Sequence, residues 1–448
     1  MTEHQDPPAP GDRPAAQEPG REPLSTATSP LGVPDSLTIR SEAAAAVGAE
    51  LLASGMASYR VRSAMSRTAR ALGLDSFSSV VSYTDITATA TLDGRYRTRL
   101  TQPQHVGVDV DRLYRTQRYV ETLPPGGVTP AEVFEQLAAI RSRRPLHPRP
   151  LNAAAAGFAC AAFAVLNQGG PVEALAAGLA AGLGQAARRT LQLRGWNHLL
   201  ITVIAAVVAA GAYLLAIGVP TAAGWLGPGH LGGYLAAVLF LVPGFPLITG
   251  MLDLVRADYS AGLARLTYAA LIIISAAASV WTVSLAVGIE PVPAAPLGLD
   301  PVAELLLRAA ATFVGVLGFA LLFNSPWPIG LAAAGVALVA NSLRFLLTEG
   351  GVPVQLATLA ATVLVGLLAY LIARTRHVPR TSISVPAVVI MIPGYAMYGG
   401  FTLLNAGELF SSVMMLQQAV QTVFAAAFGL ALAHLATSSS WRRVEQPR

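Results

Sequence analysis

Ten apolar segments follow one another between residues 151 and 435, and they restrict the chain to folds that a lipid bilayer can hold. Most of them approach the roughly 20 residues that a helix needs to cross the hydrocarbon core. Charged residues make up 12% of the chain, against roughly 25% in an average soluble domain. The sequence therefore predicts an integral membrane protein. Its spans are placed near residues 151–168, 171–187, 198–219, 231–252, 261–288, 302–323, 328–347, 353–373, 385–404 and 411–435.

The arginines predict which ends of these segments face the cytoplasm. If residues 36–146 are cytoplasmic, ten crossings place most of the later arginines on that same side. The opposite side has Arg308 and Arg344, both near segment edges. This asymmetry follows the positive-inside rule, so we expect ten spans with both termini in the cytoplasm. The arginines on the cytoplasmic side are Arg141, Arg143, Arg144, Arg149, Arg188, Arg189, Arg194, Arg256, Arg265, Arg374, Arg376, Arg380, Arg442 and Arg443.

Two Pro-Gly pairs lie inside apolar segments, 150 residues apart. Proline lacks a backbone N–H and clashes with the preceding helical turn, so each segment is predicted to be kinked or broken. In lipid, the freed backbone groups are tolerated only where protein or water satisfies them. Paired interruptions in two halves point to the binding site of a transporter; a kink that only shapes helix packing is the alternative. The predicted pathway residues are Pro243, Gly244, Phe245, Pro393, Gly394 and Tyr395.

The two halves of the membrane region are predicted to be inverted repeats. Five spans per half mean that the second half enters the bilayer from the opposite side. Short Gly/Pro connections after the first span of each half, Asn167–Pro171 and Asn324–Pro328, match in position. We place the repeats at residues 147–300 and 301–437. Carriers with this plan bind their substrate near the midplane, between the halves.

The N-terminal third is predicted to be a tail followed by a small soluble domain. Residues 1–35 are rich in proline and have little to bury, which predicts disorder. Residues 36–146 have the pattern of an α+β domain, with a hairpin-turn signal at Asp93-Gly94 and a helix start at Thr129-Pro130. Residues 438–448 are predicted to be a cytoplasmic tail. The fold class is an α-helical polytopic membrane protein, with ten transmembrane helices as two inverted five-helix repeats and an N-terminal soluble α+β domain.

Four charged residues are candidates for proton coupling or gating. Asp253, Asp258 and Arg265 follow the first Pro-Gly segment, where the acids could exchange a proton and the arginine could hold a carboxylate. A solvated interfacial loop with ion pairs is the alternative for this stretch. Glu173 opens the second segment, either as a proton carrier or as an acid favoured by the helix dipole. His or Cys residues at metal-ligand spacing and phosphate-binding Gly-rich loops are not visible, so no metal and no cofactor is predicted.

These elements together resemble the bacterial threonine/serine exporter family. The resemblance begins with a Ser-Gly-x-x-x-Tyr-Arg-Val element at residues 54–61, ahead of an Ala-Leu-Gly helix end at residues 71–73. A Gly-Gly turn before an acidic residue follows, here Glu173. The Val-Pro-Gly span then leads into Asp-x-x-x-x-Asp-Tyr-x-x-Gly-x-x-Arg, here residues 253–265. Arg62 stands where the family pattern has an acidic residue, which weakens any hydrolytic role for the N-terminal domain.

The resemblance implies export of threonine and serine across the inner membrane of a bacterial cell, driven by the proton-motive force. The implied partners are threonine, serine, protons and the lipid bilayer, without nucleic acid. Family members associated with dicarboxylate export make dicarboxylates, or another small amino acid, the alternative cargo. Two alternatives of other classes are a membrane-tethered hydrolase that acts through residues 36–146 and a sensory or scaffold protein without flux. The oligomeric state stays open, with a homo-oligomer among the alternatives.

Overall fold

The computed structural model describes residues 36–103, 107–227, 229–289, 298–438 and 441. The predicted N-terminal tail and most of the predicted C-terminal tail lie outside the described residues. The described chain is mostly helical, with a three-stranded sheet near its N-terminus. An N-terminal α+β part is followed by a bundle of long apolar helices.

The N-terminal part places two helices over an antiparallel sheet in the order β1-β2-β3. Val47, Met65 and Ile86 are fully buried where α1, α2 and β2 meet, and each such side chain contributes about 1.5–3 kcal/mol through burial. Asp93 and Gly94 both have positive φ in the turn between β2 and β3, as the Asp-Gly pair predicts. The elements are α1 (Ser36–Ala53), α2 (Ser58–Ala71), β1 (Ser76–Val81), β2 (Ile86–Leu92), β3 (Arg95–Thr101), α3 (Val110–Thr122) and α4 (Pro130–Arg141).

The fourth helix begins where the sequence predicts. The Thr129 side chain accepts a hydrogen bond from the backbone N–H of Glu132, and the Glu132 carboxylate accepts one from the backbone N–H of Thr129. This capping box satisfies two N–H groups that the first turn leaves without helical partners. Pro130 at the first helical position fits because its missing N–H would have had no partner there.

The membrane part consists of long helices, most of them joined by short connections. Small residues let them approach closely: a Cβ added to Gly157 of α5 would lie 2.8 Å from the carbonyl oxygen of Gly178 in α6. Such contacts between small residues are typical of helices packed inside a bilayer. The elements are α5 (Arg149–Leu166), α6 (Pro171–Leu193), α7 (His198–Ala222), a 3-10 helix (Ala236–Leu241), α8 (Gly244–Val255), α9 (Tyr259–Val287), α10 (Pro301–Leu322), α11 (Trp327–Glu349), α12 (Val354–Arg376), α13 (Arg380–Val389), α14 (Gly394–Asn405) and α15 (Leu409–Thr437).

Within the described residues, seven helices are long and apolar enough to cross a membrane, and the bent pair α13–α14 raises the number to eight. These helices indicate a multi-pass membrane protein. The helix α6 has 23 residues but is not among the seven, and α8 is a shorter apolar helix of 12 residues. Ten spans and an inverted repeat therefore remain predictions, because helix length and apolarity account for at most eight spans among the described residues.

Several elements recur in the two halves with the same length. Helices α6 and α11 both have 23 residues, α8 and α14 both have 12, and α9 and α15 both have 29. The connections that precede α6 and α11 each contain a non-glycine residue with positive φ, Gln168 at 68° and Asn324 at 57°. The matched Gly/Pro connections of the sequence thus have matched backbone conformations.

The N-terminal part contacts one end of the bundle, which we call the domain end, and the opposite end is the far end. The backbone N–H of Val110 donates to the carbonyl of Phe323 over 2.9 Å, and that of Leu146 donates to the Asn324 side chain over 2.8 Å. Trp441 lies at the same end, with its ring centroid 4.7 Å from that of His434 and 5.4 Å from that of Tyr59. The two ends of the described chain are therefore on the same side of the bundle.

Candidate functional site

The two Pro-Gly pairs interrupt their helices in the same backbone conformation. Pro243 has φ −78° and ψ 58°, and Pro393 has φ −79° and ψ 59°. Gly244 and Gly394 are the first residues of α8 and α14, and no side chain caps either helix start. At the second break α13 and α14 meet at a bend of 41°. The predicted interruption of both segments is confirmed.

The two breaks also pack directly against each other. A Cβ at Gly244 would lie 2.9 Å from Cδ1 of Ile392, and a Cβ at Gly394 would lie 2.9 Å from Cδ2 of Leu239. A Cβ at either position would force a neighbouring side chain to move, so glycine allows the close approach of the two breaks. The contacts are reciprocal. The two glycines are 150 positions apart, and the residues that Gly394 contacts lie 150 positions before those that Gly244 contacts. Those residues are Leu239, Val242, Val389 and Ile392.

A cavity of about 190 Å³ lies against the second break. Its walls come from α5, α11, α12, α15 and the residues around Pro393, and Tyr395 of the predicted pathway is among them. Asn167 ends α5 and Val354 begins α12, so the cavity lies toward the far end. The lining residues are Phe163, Leu166, Asn167, Arg344, Val354, Ile390, Met391, Ile392, Pro393, Gly394, Tyr395, Ala396, Gln418 and Thr422.

Phe245, the third residue of the first break, is turned away from this cavity toward the N-terminal domain. Its side chain is 1% exposed, and a Cβ at Gly55 would lie 3.2 Å from its ring. Gly55 has φ 94°, which only glycine adopts readily, in the turn between α1 and α2. The whole turn, residues 54–58, is buried. The domain therefore inserts a turn into the domain end of the bundle beside the first break.

Two of the four charged candidates form a buried ion pair beneath this turn. Asp253 and Arg265 are 0% and 1% exposed, with 3.2 Å between Oδ2 and Nε. Asp253 accepts hydrogen bonds from the backbone N–H and the hydroxyl of Ser58, over 2.8 and 3.1 Å. Arg265 donates through Nη2 to the carbonyl of Met56 over 2.5 Å. Both residues therefore hold the domain turn against the bundle through buried contacts, and ion pairs are present here as the alternative interpretation also expects.

Asp258 makes a second, more exposed bridge to the domain. Arg62 donates from both Nη atoms to the two carboxylate oxygens of Asp258, over 2.5 and 2.7 Å. Such a bidentate pair adds geometric specificity to its charge attraction. The arginine at position 62, where the family pattern has an acid, thus has a structural role at the interface.

Glu173 lies at the far end, away from the other three charged candidates. Its Oε1 is 2.7 Å from Nδ1 of His230, which follows α7. The carbonyl of His230 accepts a hydrogen bond from the Tyr213 hydroxyl over 2.6 Å. Glu173 therefore belongs to a small polar cluster that links the start of α6 to the end of α7.

Two serines of the element at residues 54–61 could in principle act as nucleophiles, but their hydroxyls donate to groups other than a histidine. The Ser54 hydroxyl donates to the carbonyl of Glu50 over 2.8 Å, and the Ser58 hydroxyl donates to Asp253. Among the described residues, no histidine accepts a hydrogen bond from either hydroxyl. A serine nucleophile needs such a base within hydrogen-bond reach, and the described residues supply no histidine base to either serine.

Burial at the interface shifts two ionisable groups of the N-terminal domain. The pKa of Asp109 is raised chiefly by burial, against the hydrogen bonds that its carboxylate accepts from Arg112 and Asn324. Burial also raises the pKa of Tyr83, whose ring lies 5.3 Å from the Arg265 guanidinium. Both shifts reflect the loss of water where the domain contacts the bundle.

The structure divides the predicted site residues among three places. The Pro-Gly pairs meet each other and the cavity, Asp253, Asp258 and Arg265 meet the domain, and Glu173 lies at the far end. Sequence reasoning missed Arg344 as a cavity residue and His230 as the partner of Glu173. The available signal for Arg344 was its position inside an apolar segment, on the side that the other arginines avoid.

Two family profiles match the chain. The profile described as "Putative threonine/serine exporter" matches residues 42–287. The profile described as "Threonine/Serine exporter, ThrE" matches residues 308–436. Together they cover most of the N-terminal domain and the helix bundle.

Two bacterial proteins named "Probable succinate transporter subunit YjjP" are similar to the chain. The protein from Klebsiella aerogenes is 29% identical over 222 residues, which are 50% of this chain and 84% of that protein. The protein from Escherichia coli is 31% identical over 233 residues, which are 50% of this chain and 86% of that protein. No solved structure gives a significant match.

Proposed function

Because the chain belongs to the threonine/serine exporter family, and is thus a multi-pass transporter of small molecules, we propose that it exports threonine and serine in exchange for protons. The observation that carries the proposal is the cavity of about 190 Å³ at the Pro393-Gly394 break. A cavity of this volume holds several water molecules and so has room for a solute of the size of a small amino acid. Freed backbone groups at a helix break are the usual recognition elements of carriers.

The proposed architecture has ten spans in two inverted repeats. The helix α6 and the broken segment that ends in α8 are the two spans added to those that qualify by length and apolarity. Equal helix lengths, equal proline conformations and the reciprocal contact of the breaks support this arrangement. An odd number of spans per repeat inverts the second copy, and a contact across a two-fold axis is reciprocal by symmetry.

We place the domain end in the cytoplasm and the bundle in the bacterial inner membrane. The arginine excess lies at that end, as the positive-inside rule requires. In this orientation the domain turn, with Asp253, Asp258 and Arg265, closes the cytoplasmic gate beside Pro243, Gly244 and Phe245. The cavity beside Pro393, Gly394 and Tyr395 then lies toward the outside.

Proton exchange is assigned to Glu173 and its partner His230. The Glu173 carboxylate and the His230 imidazole lie 2.7 Å apart, within hydrogen-bond reach for the transfer of a proton between them. The pair lies at the proposed outer end, where protons enter. Asp253 is the second proton candidate; its release from Arg265 would have to accompany undocking of the domain turn.

Dicarboxylates are the second candidate cargo. Both similar bacterial proteins carry the name of a succinate transporter subunit. The cavity lining also includes a cation, Arg344, and no Asp or Glu side chain among its described residues. A positively charged cavity accepts a dianion at least as well as a zwitterion.

Counterflow in proteoliposomes tests the proposal directly. Liposomes loaded with threonine, serine or succinate should accumulate the matching labelled solute, and an uncoupler should abolish uphill transport of threonine. Gly244→Leu and Gly394→Leu should each abolish counterflow, because the added side chain would occupy the contact between the breaks. Gly211→Leu is the matched control, since no atom lies within 4 Å of its Cβ position. Uphill threonine transport that survives the uncoupler would refute proton coupling, and normal counterflow by both break variants would refute the site.

A further inference from the structure

Two arginines lie near the far end of the bundle in contrasting surroundings. Arg308 donates to the carboxylate of Glu349 over 2.7 Å and forms a second ion pair with Glu304. Arg344 forms no ion pair with any described residue and lines the cavity. Both guanidinium groups lie close to the ring of Phe345, at 4.9 and 4.8 Å from its centroid. The carboxylates of Glu304 and Glu349 therefore neutralise Arg308, whereas no carboxylate of the described residues neutralises Arg344 at the cavity.

Arg344 is held in position by a chain of buried hydrogen bonds. Its Nε donates to Oδ1 of Asn341 over 2.7 Å. The Asn341 amide donates in turn to the Thr312 hydroxyl over 2.8 Å, and that hydroxyl donates to the carbonyl of Arg308. Asn341 and Thr312 are both 0% exposed. This chain fixes the guanidinium through Nε, which leaves its two Nη groups for a ligand.

A second part of the cavity lining, at the start of α14, is also suited to an anionic group. Gly394 begins α14 without a side-chain cap, so the first-turn N–H groups of Tyr395 and Ala396 have no partner within the helix. The helix dipole adds partial positive charge at this point. Asn167 and Thr422 supply neutral polar groups beside it.

We infer that Arg344 binds a carboxylate of the transported solute, with Asn341 as its positioning residue. The inference rests on the proposed function and specifies the feature that amino acids and dicarboxylates share. A planar guanidinium held through Nε presents two parallel N–H donors, which match the two oxygens of a carboxylate. The selected class is thus small carboxylic acids, and the rest of the cavity decides between the ammonium of an amino acid and a second carboxylate.

Competition with an analogue whose carboxylate is replaced by an uncharged amide tests the inference on the unaltered protein. Wild-type proteoliposomes take up labelled threonine while unlabelled threonine or threonine amide, which lacks the carboxylate, competes. Threonine should inhibit at least 10-fold more strongly than the amide, because charged hydrogen bonds of this kind are worth about one such factor or more. The same comparison is made with succinate and its diamide if succinate is the cargo. Equal inhibition by acid and amide would overturn the inference.

Substitutions of Arg344 test whether this residue causes the difference in inhibition between acid and amide. Arg344→Gln should raise the apparent KM about 10-fold or more while the acid–amide difference disappears, and Arg344→Lys should fall between it and the wild type because it keeps the charge without the planar donor pair. Arg308→Gln is the matched control, with the same charge change at the same end, and should keep the acid–amide difference. An unchanged KM in Arg344→Gln refutes the inference while leaving the transporter intact. A wild type that moves no carboxylic acid refutes the proposed function instead.

Discussion

Asp253 and Arg265 are buried as a pair, and neither charge has water to replace its partner. Asp253→Asn removes one charge and leaves the guanidinium of Arg265 uncompensated under the domain turn. We expect the free energy of unfolding to fall by about 3–5 kcal/mol, the usual cost of breaking a buried pair from one side. Thermal or denaturant unfolding of the detergent-solubilised protein measures this loss.

A double variant distinguishes the energy of the ion pair itself from the cost of leaving one buried charge without a partner. Asp253→Asn with Arg265→Gln should regain part of the stability that Asp253→Asn alone loses, since no isolated ion remains. Additive losses in the double variant would show that the two side chains do not act as a pair. Asp258→Asn is the comparison for a more exposed bridge and should cost about 1 kcal/mol or less.

Individual site residues were predictable from sequence only where the local pattern was unusual. The Pro-Gly pairs and the Asp253–Arg265 stretch stand out because polar or helix-breaking residues interrupt apolar runs. Arg344 gave a weaker signal, because its role depends on Gly394, which is 50 positions away along the chain and adjacent only in the fold. The Glu173–His230 contact was not predictable for the same reason.

At the scale of elements, the two breaks meet in contacts of equal length. Gly244→Ala and Gly394→Ala each place a methyl group 2.9 Å from a neighbouring side chain, which forces local repacking. Each should lower the free energy of unfolding by about 1–3 kcal/mol, the cost of overpacking a filled site, and the two losses should be similar. Unfolding midpoints of the purified variants measure this.

Gly335→Ala is the control for the effect of replacing glycine by alanine in a helix where the new methyl group meets no neighbour. No atom lies within 4 Å of the Cβ position of this glycine in the middle of α11. Alanine there should leave stability unchanged or raise it by up to about 1 kcal/mol, since glycine weakens a helix interior. A much larger loss at one break than at the other would contradict the matched geometry.

Helix positions follow closely from the sequence, because each apolar run is bounded by Gly, Pro or capping residues. The predicted segments 198–219 and 302–323 correspond to α7 (His198–Ala222) and α10 (Pro301–Leu322). The sequence could not show that the two breaks pack against each other or that the domain turn inserts beside Phe245. Both facts depend on packing between distant parts of the chain, and periodicity within one segment contains no information about its neighbours.

At the scale of the whole molecule, the two breaks differ in what surrounds them. The second has a cavity toward the far end, whereas the first is covered by the domain turn at the domain end. Carriers with inverted repeats exchange the roles of their halves as access alternates between the two sides. Under the proposed inverted-repeat architecture, the described arrangement would correspond to a state closed at the domain end.

The sidedness and number of the spans can be tested with single cysteines in a Cys160→Ser background. Cys160 is buried without a disulfide partner, and serine has nearly the same side-chain volume, so the exchange should leave the fold intact. A membrane-impermeant thiol reagent should label Leu299→Cys, at the far end before α10, in intact cells. It should label Ser142→Cys, beside the domain, only after permeabilisation.

Arg194→Cys decides whether α6 crosses the bilayer. Residue 194 directly follows α6 and is exposed, and ten spans place it on the cytoplasmic side with Ser142. We therefore expect Arg194→Cys to be protected in intact cells and to react fully once the membrane is opened. If α6 lay along the surface instead, residue 194 would share the side of the α5–α6 connection and would react in intact cells. That result would leave four crossings, an even number, in the first half, and the inverted five-helix repeat would have to be abandoned.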